Sequence, residues 1–176
     1  IDDVAHMKSE IGLLYYNDFN RPVLEKLIHT NELTFTELFT AHPHIFIGKT
    51  HPLAHKEVVS MDELEEYPYI SFEQGDHNSF YFSEESFSTV VRPKHIRVRD
   101  RASLFSLLLG LDGYTVSSGV IDKEVNGENI ISVPLAEEGL MHIGYITNNK
   151  MQRSRLGQEY IHALEQYVNN YGRHIQ

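Results

Sequence analysis

The chain contains no cysteine, which removes disulfides, thiolate nucleophiles and zinc sites of the cysteine type, and fits a cytoplasmic address. No stretch approaches the roughly 18 uninterrupted apolar residues that a membrane span requires, and no charged-then-apolar leader opens the sequence, so a soluble protein is expected. Positive charge is scarce: 15 Lys and Arg stand against 25 Asp and Glu, a formal net charge of −10 at pH 7. Such a surface repels phosphate backbones instead of releasing their counterions, so this chain is not expected to grip DNA by itself. The 11 histidines offset part of that charge in mild acid without reversing the conclusion. Repeats, low-complexity tracts and flexible Gly/Ser linkers are also missing. Any division into lobes must therefore be bridged by ordered strands.

What is present reads as one folded domain or two small lobes sharing a hinge. With 41% hydrophobic residues over 176 positions the chain can bury a core, and disorder is excluded. The first residue is Ile1, so the start reads as trimmed. Short β-rich runs alternate with amphipathic helical stretches, which points to an α/β organisation around a largely parallel sheet. The expected strands are 11–16, 33–38, 44–48, 69–72, 95–98, 113–117, 130–133 and 142–146. Asn20 as a cap and Pro22 with its preset φ suit a helix start, and Val23, Leu24, Leu27 and Ile28 then supply an apolar face. Ser60 and Glu63 have the spacing of a capping box, which predicts a helix from Met61. Asp76, Asn78 and Ser79 are cap types ahead of Phe80, Phe87 and Val91 at helical spacing. Asp100 precedes Leu104, Leu107, Leu108 and Leu111, the i, i+3, i+4, i+7 pattern of a helix with a buried face. A last helix over 154–170 places Leu156, Tyr160, Ile161, Leu164, Tyr167 and Val168 on one side.

Two strand-to-helix junctions, 71–79 and 99–103, hold most of the polar residues of interest. In an open parallel sheet, ligands bind beyond the carboxyl ends of strands, where exposed helix amides and the positive end of the helix dipole attract anions. A small carboxylate would dock there. The competing reading is that Asp76, Asn78 and Asp100 only cap helices while Arg99 and Arg101 are solvated. His42, His44, His51 and His55 invite a metal, but Pro43 and Pro52 mark turns and the Glu of an H-E-x-x-H is absent, so surface or turn histidines are expected. Ser117-Ser118-Gly119 lacks the G-x-S-x-G elbow of a hydrolase and reads as a small-residue turn. The carboxylates of Glu84-Glu85 and of Glu63, Glu65 and Glu66 read as solvated faces near helix starts rather than acid/base pairs. Phe80, Tyr81 and Phe82 have no basic residues among them and read as packing, not as a base-stacking platform.

The order of segments from about residue 11 to 168 resembles the ligand-binding domain of LysR-type transcriptional regulators. The resemblance is carried by Ile11-Gly12-Leu13-Leu14, by His44-Ile45-Phe46-Ile47-Gly48 leading into His51-Pro52-Leu53-Ala54, and by the segment from Ser60 to Glu66. Tyr67-Pro68-Tyr69-Ile70, Leu109-Gly110-Leu111-Asp112-Gly113-Tyr114, Val133-Pro134-Leu135 and the long terminal helix follow. Where family members usually carry Gly-x-Gly this chain has Gly110-Leu111-Asp112-Gly113, and Ser118 stands where Pro is frequent, so a differently shaped turn is expected. The resemblance implies an α/β fold of the type II periplasmic-binding-protein-like kind, two lobes joined by crossing strands near 44–48 and 142–146. The first lobe, 1–43 with 142–176, would be incomplete, lacking its opening strands and helices; the second would be 44–141. The winged-helix DNA-binding domain would also be missing, so that DNA is bound only through it.

On this resemblance the chain is an effector-sensing domain and not an enzyme, with no cofactor and no metal. A small metabolite would lie between the lobes, on Ser71, Glu73, Gln74, Asn78, Ser79, Arg99 and Asp100, with Arg99 pairing with its carboxylate and Glu73 with its amino group. The effector would be amino-acid-like or a sulfur metabolite; 71–85 is also similar to regulators of sulfur amino-acid uptake and synthesis in Gram-positive bacteria. Binding would shift a hinge equilibrium that family members transmit through dimer or tetramer contacts. Two rival functions share the scaffold. A solute receptor of a transport system would be marked by a secretion leader or lipid-anchor cysteine in the full gene. An enzyme would need a base paired with a nucleophile, and neither mark is visible in the sequence.

Overall fold

The computed structural model describes residues 1–73, 80–83, 85–87 and 89–171. Along the chain run α1 (Asp2–Ala5), β1 (Ile11–Tyr16), α2 (Arg21–Thr30), β2 (Leu33–Ala41) and β3 (His44–Gly48). Then come β4 (Tyr69–Phe72), β5 (His95–Val98), α3 (Arg101–Gly110), β6 (Thr115–Ser117) and α4 (Lys123–Asn126). β7 (Ile130–Pro134), β8 (Met141–Asn148) and α5 (Arg155–Tyr171) complete it. The chain divides into two compact units, Ile1–Ala41 with Met141–Gln176, and His42–Leu140.

In the first unit β8 lies between β1 and β2 and is antiparallel to both. β1 and β2 therefore run parallel to each other, connected by α2, whose Leu24 and Ile28 bury against Val4, Tyr16, Leu33 and Ile146. The apolar spacing of 23–28 predicts that face. Asn20 occupies the cap position but does not cap: its Oδ1 accepts from the Asn17 N–H at 2.8 Å and its amide donates to the Tyr15 carbonyl. It stitches the turn between β1 and α2 instead. β2 runs three residues beyond its expected end, to Ala41, because a bulge between Glu37 and Phe39 resets the pleat and lets pairing with β8 continue. At Gly144 a Cβ would sit against the Thr36 carbonyl oxygen and 2.5 Å from the Phe35 ring, so only glycine lets that ring lie across β8.

The second unit holds the antiparallel sheet β6-β3-β7 and the parallel pair β4-β5. The expectation of a largely parallel sheet is thus corrected: strands that return through the middle of a sheet, β8 and β3, impose antiparallel neighbours on both sides. β3 has both faces buried. Ile45 and Ile47 point into a core with Val59, Leu64, Val116 and Val133, while Phe46 points into another with Ile70, Val98, Leu104 and Leu108. Alternate residues of a strand face opposite ways, so an unbroken apolar run is what a strand between two cores needs.

Three expected helices change. From 61 onward only a single 3₁₀ turn forms, Asp62–Leu64. The Glu63 carboxylate accepts from the Ser60 N–H at 3.1 Å and from Lys56, but the Ser60 hydroxyl turns to that carboxylate and Glu137 takes the Met61 N–H, so the box is half made. The helix expected from Phe80 to Val91 is, among the described residues, a 3₁₀ turn at Phe80–Phe82; Phe87 has φ +57° and Val91 is 92% exposed. Its cap candidates Asp76, Asn78 and Ser79 lie outside the described residues. α5 forms over the expected span, yet of its apolar side Ile161 is buried while Leu156 is 76% exposed. α3 is as the pattern predicts, with Leu104 and Leu108 buried, although Leu111 lies past its end and half exposed. The strand expected over 113–117 shortens to Thr115–Ser117, with Tyr114 making an isolated bridge to Tyr69.

Candidate functional site

β4 and β5 lie side by side in parallel, pairing Phe72 with Val98, so their carboxyl ends deliver Glu73 and Arg99 to one place. The two form an ion pair, Arg99 Nε donating to Glu73 Oε2. The hydrogen bond from Arg99, with its positive charge, holds the Glu73 carboxyl below the usual carboxylate range, and the same contact raises the guanidinium's pKa. The two charges expected to recognise opposite ends of a ligand thus answer each other. Ser71 is buried, its Oγ 2.7 Å from Nε2 of His95, whose pKa is lowered first by burial and then by Arg97 and Arg92. Asp100 caps α3, accepting from the Ser103 N–H at 2.8 Å and from its hydroxyl at 2.8 Å, and these bonds lower its pKa. Gln74, Asn78 and Ser79 lie outside the described residues. None of Ser71, Glu73, Arg99 and Asp100 lines the cavity that opens beside them.

That cavity, about 180 Å³, belongs wholly to the unit His42–Leu140. Phe46 of β3, Phe72 of β4, Leu104 and Phe105 of α3, Val116 of β6, and Val120 and Ile121 after it make apolar walls. Thr115, Ser117, Asn126, Arg101 and Glu85 supply the polar groups. Arg101 is the first residue of α3, where the dipole favours anions, and one of its Nη atoms lies 3.5 Å from Oδ1 of Asn126. The turn after β6 needs Gly119: its φ is +82°, and a Cβ there would come within 2.7 Å of the His44 ring.

Glu85 corrects a sequence expectation. Instead of standing on a solvated helix face it is only 4% exposed, its carboxylate accepting from the Phe72 N–H at 2.7 Å and the Ser83 hydroxyl at 3.0 Å. On that edge β4 is served by Tyr114, which takes the Ile70 N–H; two residues on, Glu85 supplies the acceptor for Phe72. A buried amide must find a partner, and the chain folds back to provide one. Nothing in the spacing of 80–91 signals this. Arg101 was within reach of sequence reasoning, standing in a junction already singled out.

His51 also differs from a surface histidine. It is buried in its turn, with Nδ1 accepting from the Leu53 N–H at 3.0 Å, so that Nε2 carries the proton and donates to the Asp112 carbonyl at 3.0 Å. Asp112 has φ +47°, a left-handed conformation that Asp tolerates better than most residues. Burial lowers the pKa of His51. His42 and His44 donate to the carbonyls of Gly139 and His42. Among the described residues no group of three or more His, Cys, Asp or Glu could hold a metal ion. No described helix is long and apolar enough to cross a membrane.

No curated protein matches the chain in sequence. Among solved structures, the effector binding domain of QuiR in complex with shikimate is similar at 15% identity and a TM-score of 0.60, covering 97% of this chain and 77% of that one. HinK, a LysR family transcriptional regulator from Pseudomonas aeruginosa, is similar at 14% identity and a TM-score of 0.60 over 96% of this chain; the chain spans 55% of HinK's length. The BenM effector binding domain with its effector benzoate shows 16% identity and a TM-score of 0.58 over 98% of this chain and 74% of its own. These likenesses show the fold, the type II periplasmic-binding-protein-like kind. The family model for the LysR substrate binding domain matches residues 20–169, and the chain belongs to that family.

Proposed function

We propose that this domain senses a small-molecule effector held in the cavity beside α3, and that in a full-length regulator its occupancy controls DNA binding through a winged-helix domain. The observation that carries the reading is the cavity itself: apolar walls, a few convergent polar groups, and Arg101 at a helix start. Shikimate and benzoate, the ligands named for QuiR and BenM, are carboxylates, and Arg101 offers a carboxylate its fork of N–H groups. The effector is amino-acid-like or a sulfur metabolite. Ser71, Glu73, Arg99 and Asp100 form the surrounding frame at the same strand ends rather than the anchor, and Gln74, Asn78 and Ser79 are further contacts proposed for the effector. The spans 1–43 with 142–176 and 44–141 act as the two regulatory lobes, and the domain works as a dimer or tetramer in the cytoplasm. Its role is regulatory, not catalytic: an effector that binds one conformation better shifts the population by its differential affinity.

A thermal-shift screen of carboxylates, amino acids and sulfur metabolites tests this. A true effector at about a hundred times its Kd adds roughly 2.7 kcal/mol of stability. Arg101→Ala is expected to abolish the shift, while Arg99→Ala leaves most of it. A hit unaffected by Arg101→Ala would refute the anchor.

A further inference from the structure

Arg92 is a positive charge without a counterion. Its guanidinium stands over the Tyr69 ring, Cζ 3.9 Å from the centroid. Nε donates to the Tyr114 hydroxyl at 3.0 Å, and Nη1 donates to the carbonyls of Phe87 at 2.9 Å and Val90 at 3.1 Å. All three acceptors are neutral, and among the described residues no carboxylate pairs with Arg92. The remaining nitrogen, Nη2, is buried and has no hydrogen-bond partner. Because a guanidinium keeps its proton throughout the pH range of proteins, Nη2 is a cationic donor left unspent in the interior.

Tyr114 supplies a second donor beside it. Nε and Nη2 share one edge of the planar guanidinium fork, so an acceptor at Nη2 falls next to the hydroxyl that Nε holds. Burial raises the pKa of Tyr114, so that hydroxyl keeps its hydrogen, and having accepted from Arg92 it still has one to give. Both side chains line a cavity of about 100 Å³ within the unit His42–Leu140, where a single water needs only roughly 10–15 Å³. The other charged groups on its wall are engaged elsewhere or solvated: Lys94 donates to the Glu66 carbonyl at 2.7 Å, and Asp62 and Glu65 are exposed. This cavity shares no lining residue with the one at Arg101.

We propose that Arg92 and Tyr114 form a second ligand site, separate from the effector cavity, that binds a small oxyanion through Nη2 and the phenolic hydroxyl. An occupant there also steadies the carbonyls of Phe87 and Val90, which the same guanidinium holds ahead of β5.

The test is calorimetric titration of the 176-residue chain with sodium sulfate and, separately, with sodium acetate, at an ionic strength kept constant with sodium chloride. At least one of the two anions is expected to saturate a site that Arg92→Gln abolishes and Arg101→Ala leaves intact. Tyr114→Phe is expected to weaken that site roughly tenfold or more, the worth of one hydrogen bond to a charged group. Failure of both anions to saturate any site overturns the proposal. So does binding that Arg92→Gln and Tyr114→Phe leave unchanged, or binding that disappears in Arg101→Ala, which would place the anion in the effector cavity. Should Arg92→Gln not fold, Tyr114→Phe and Arg101→Ala decide between the two cavities.

Discussion

At the scale of single residues, this domain uses buried polar side chains as fasteners for its irregular segments. His51 ties its own turn to the one at Asp112, and Glu85 ties Ser83 to β4. His51 makes a pH prediction whose sign follows from its depressed pKa. An unfolded chain takes up the imidazole proton near pH 6.5, whereas the folded chain resists it until the pH is lower still. The stability contributed by neutral His51 is therefore complete above that value and is lost as the pH falls through the window below it; His95, lowered in the same direction, adds to the effect. Melting temperatures between pH 7.5 and 5 are expected to fall more steeply for the unaltered protein than for His51→Asn. Equal slopes would contradict the role given to burial. Neither fastener was legible in the sequence. A histidine in a Pro-rich stretch read as a surface or turn residue and a glutamate beside another glutamate as solvated, because what buries them is the tertiary return of the chain.

At the scale of elements, what could be read locally was read well. α3 announces itself through Asp100 and the spacing of Leu104 and Leu108, and the structure makes both the cap and the buried face. Leu108→Ala is expected to cost about 2–5 kcal/mol of unfolding free energy in urea titrations, since the side chain is fully enclosed. Leu111→Ala, past the end of the helix and half exposed, is expected to stay within about 0.5 kcal/mol. Comparable losses at both positions would mean that the apolar face is placed wrongly. Cap residues alone misled at 60–63 and at Asn20: the Ser60 hydroxyl turns to Glu63 while Glu137 takes the Met61 N–H, and Asn20 bonds back to Asn17 and Tyr15. Strand positions came close to the observed ones, but not their directions, which depend on β8 and β3 entering the middle of their sheets.

At the scale of the whole molecule, the order of segments carried the family and the fold, since it survives the local misreadings at 61 and 80. The candidate site was legible only in part. The junctions at the ends of β4 and β5 were the right neighbourhood, yet the residues chosen there, Ser71, Glu73, Arg99 and Asp100, are occupied with His95, with each other and with Ser103. The cavity proposed for the effector is lined instead by Arg101, one residue further along, and by Glu85, which no local pattern singles out. The most direct measurement is a crystal structure of the domain soaked with the compound that most raises its melting temperature. The account predicts that compound among Phe46, Phe72 and Phe105, with its carboxylate about 2.7–2.9 Å from the Arg101 guanidinium. A ligand ordered at another site, with this cavity empty, would contradict it.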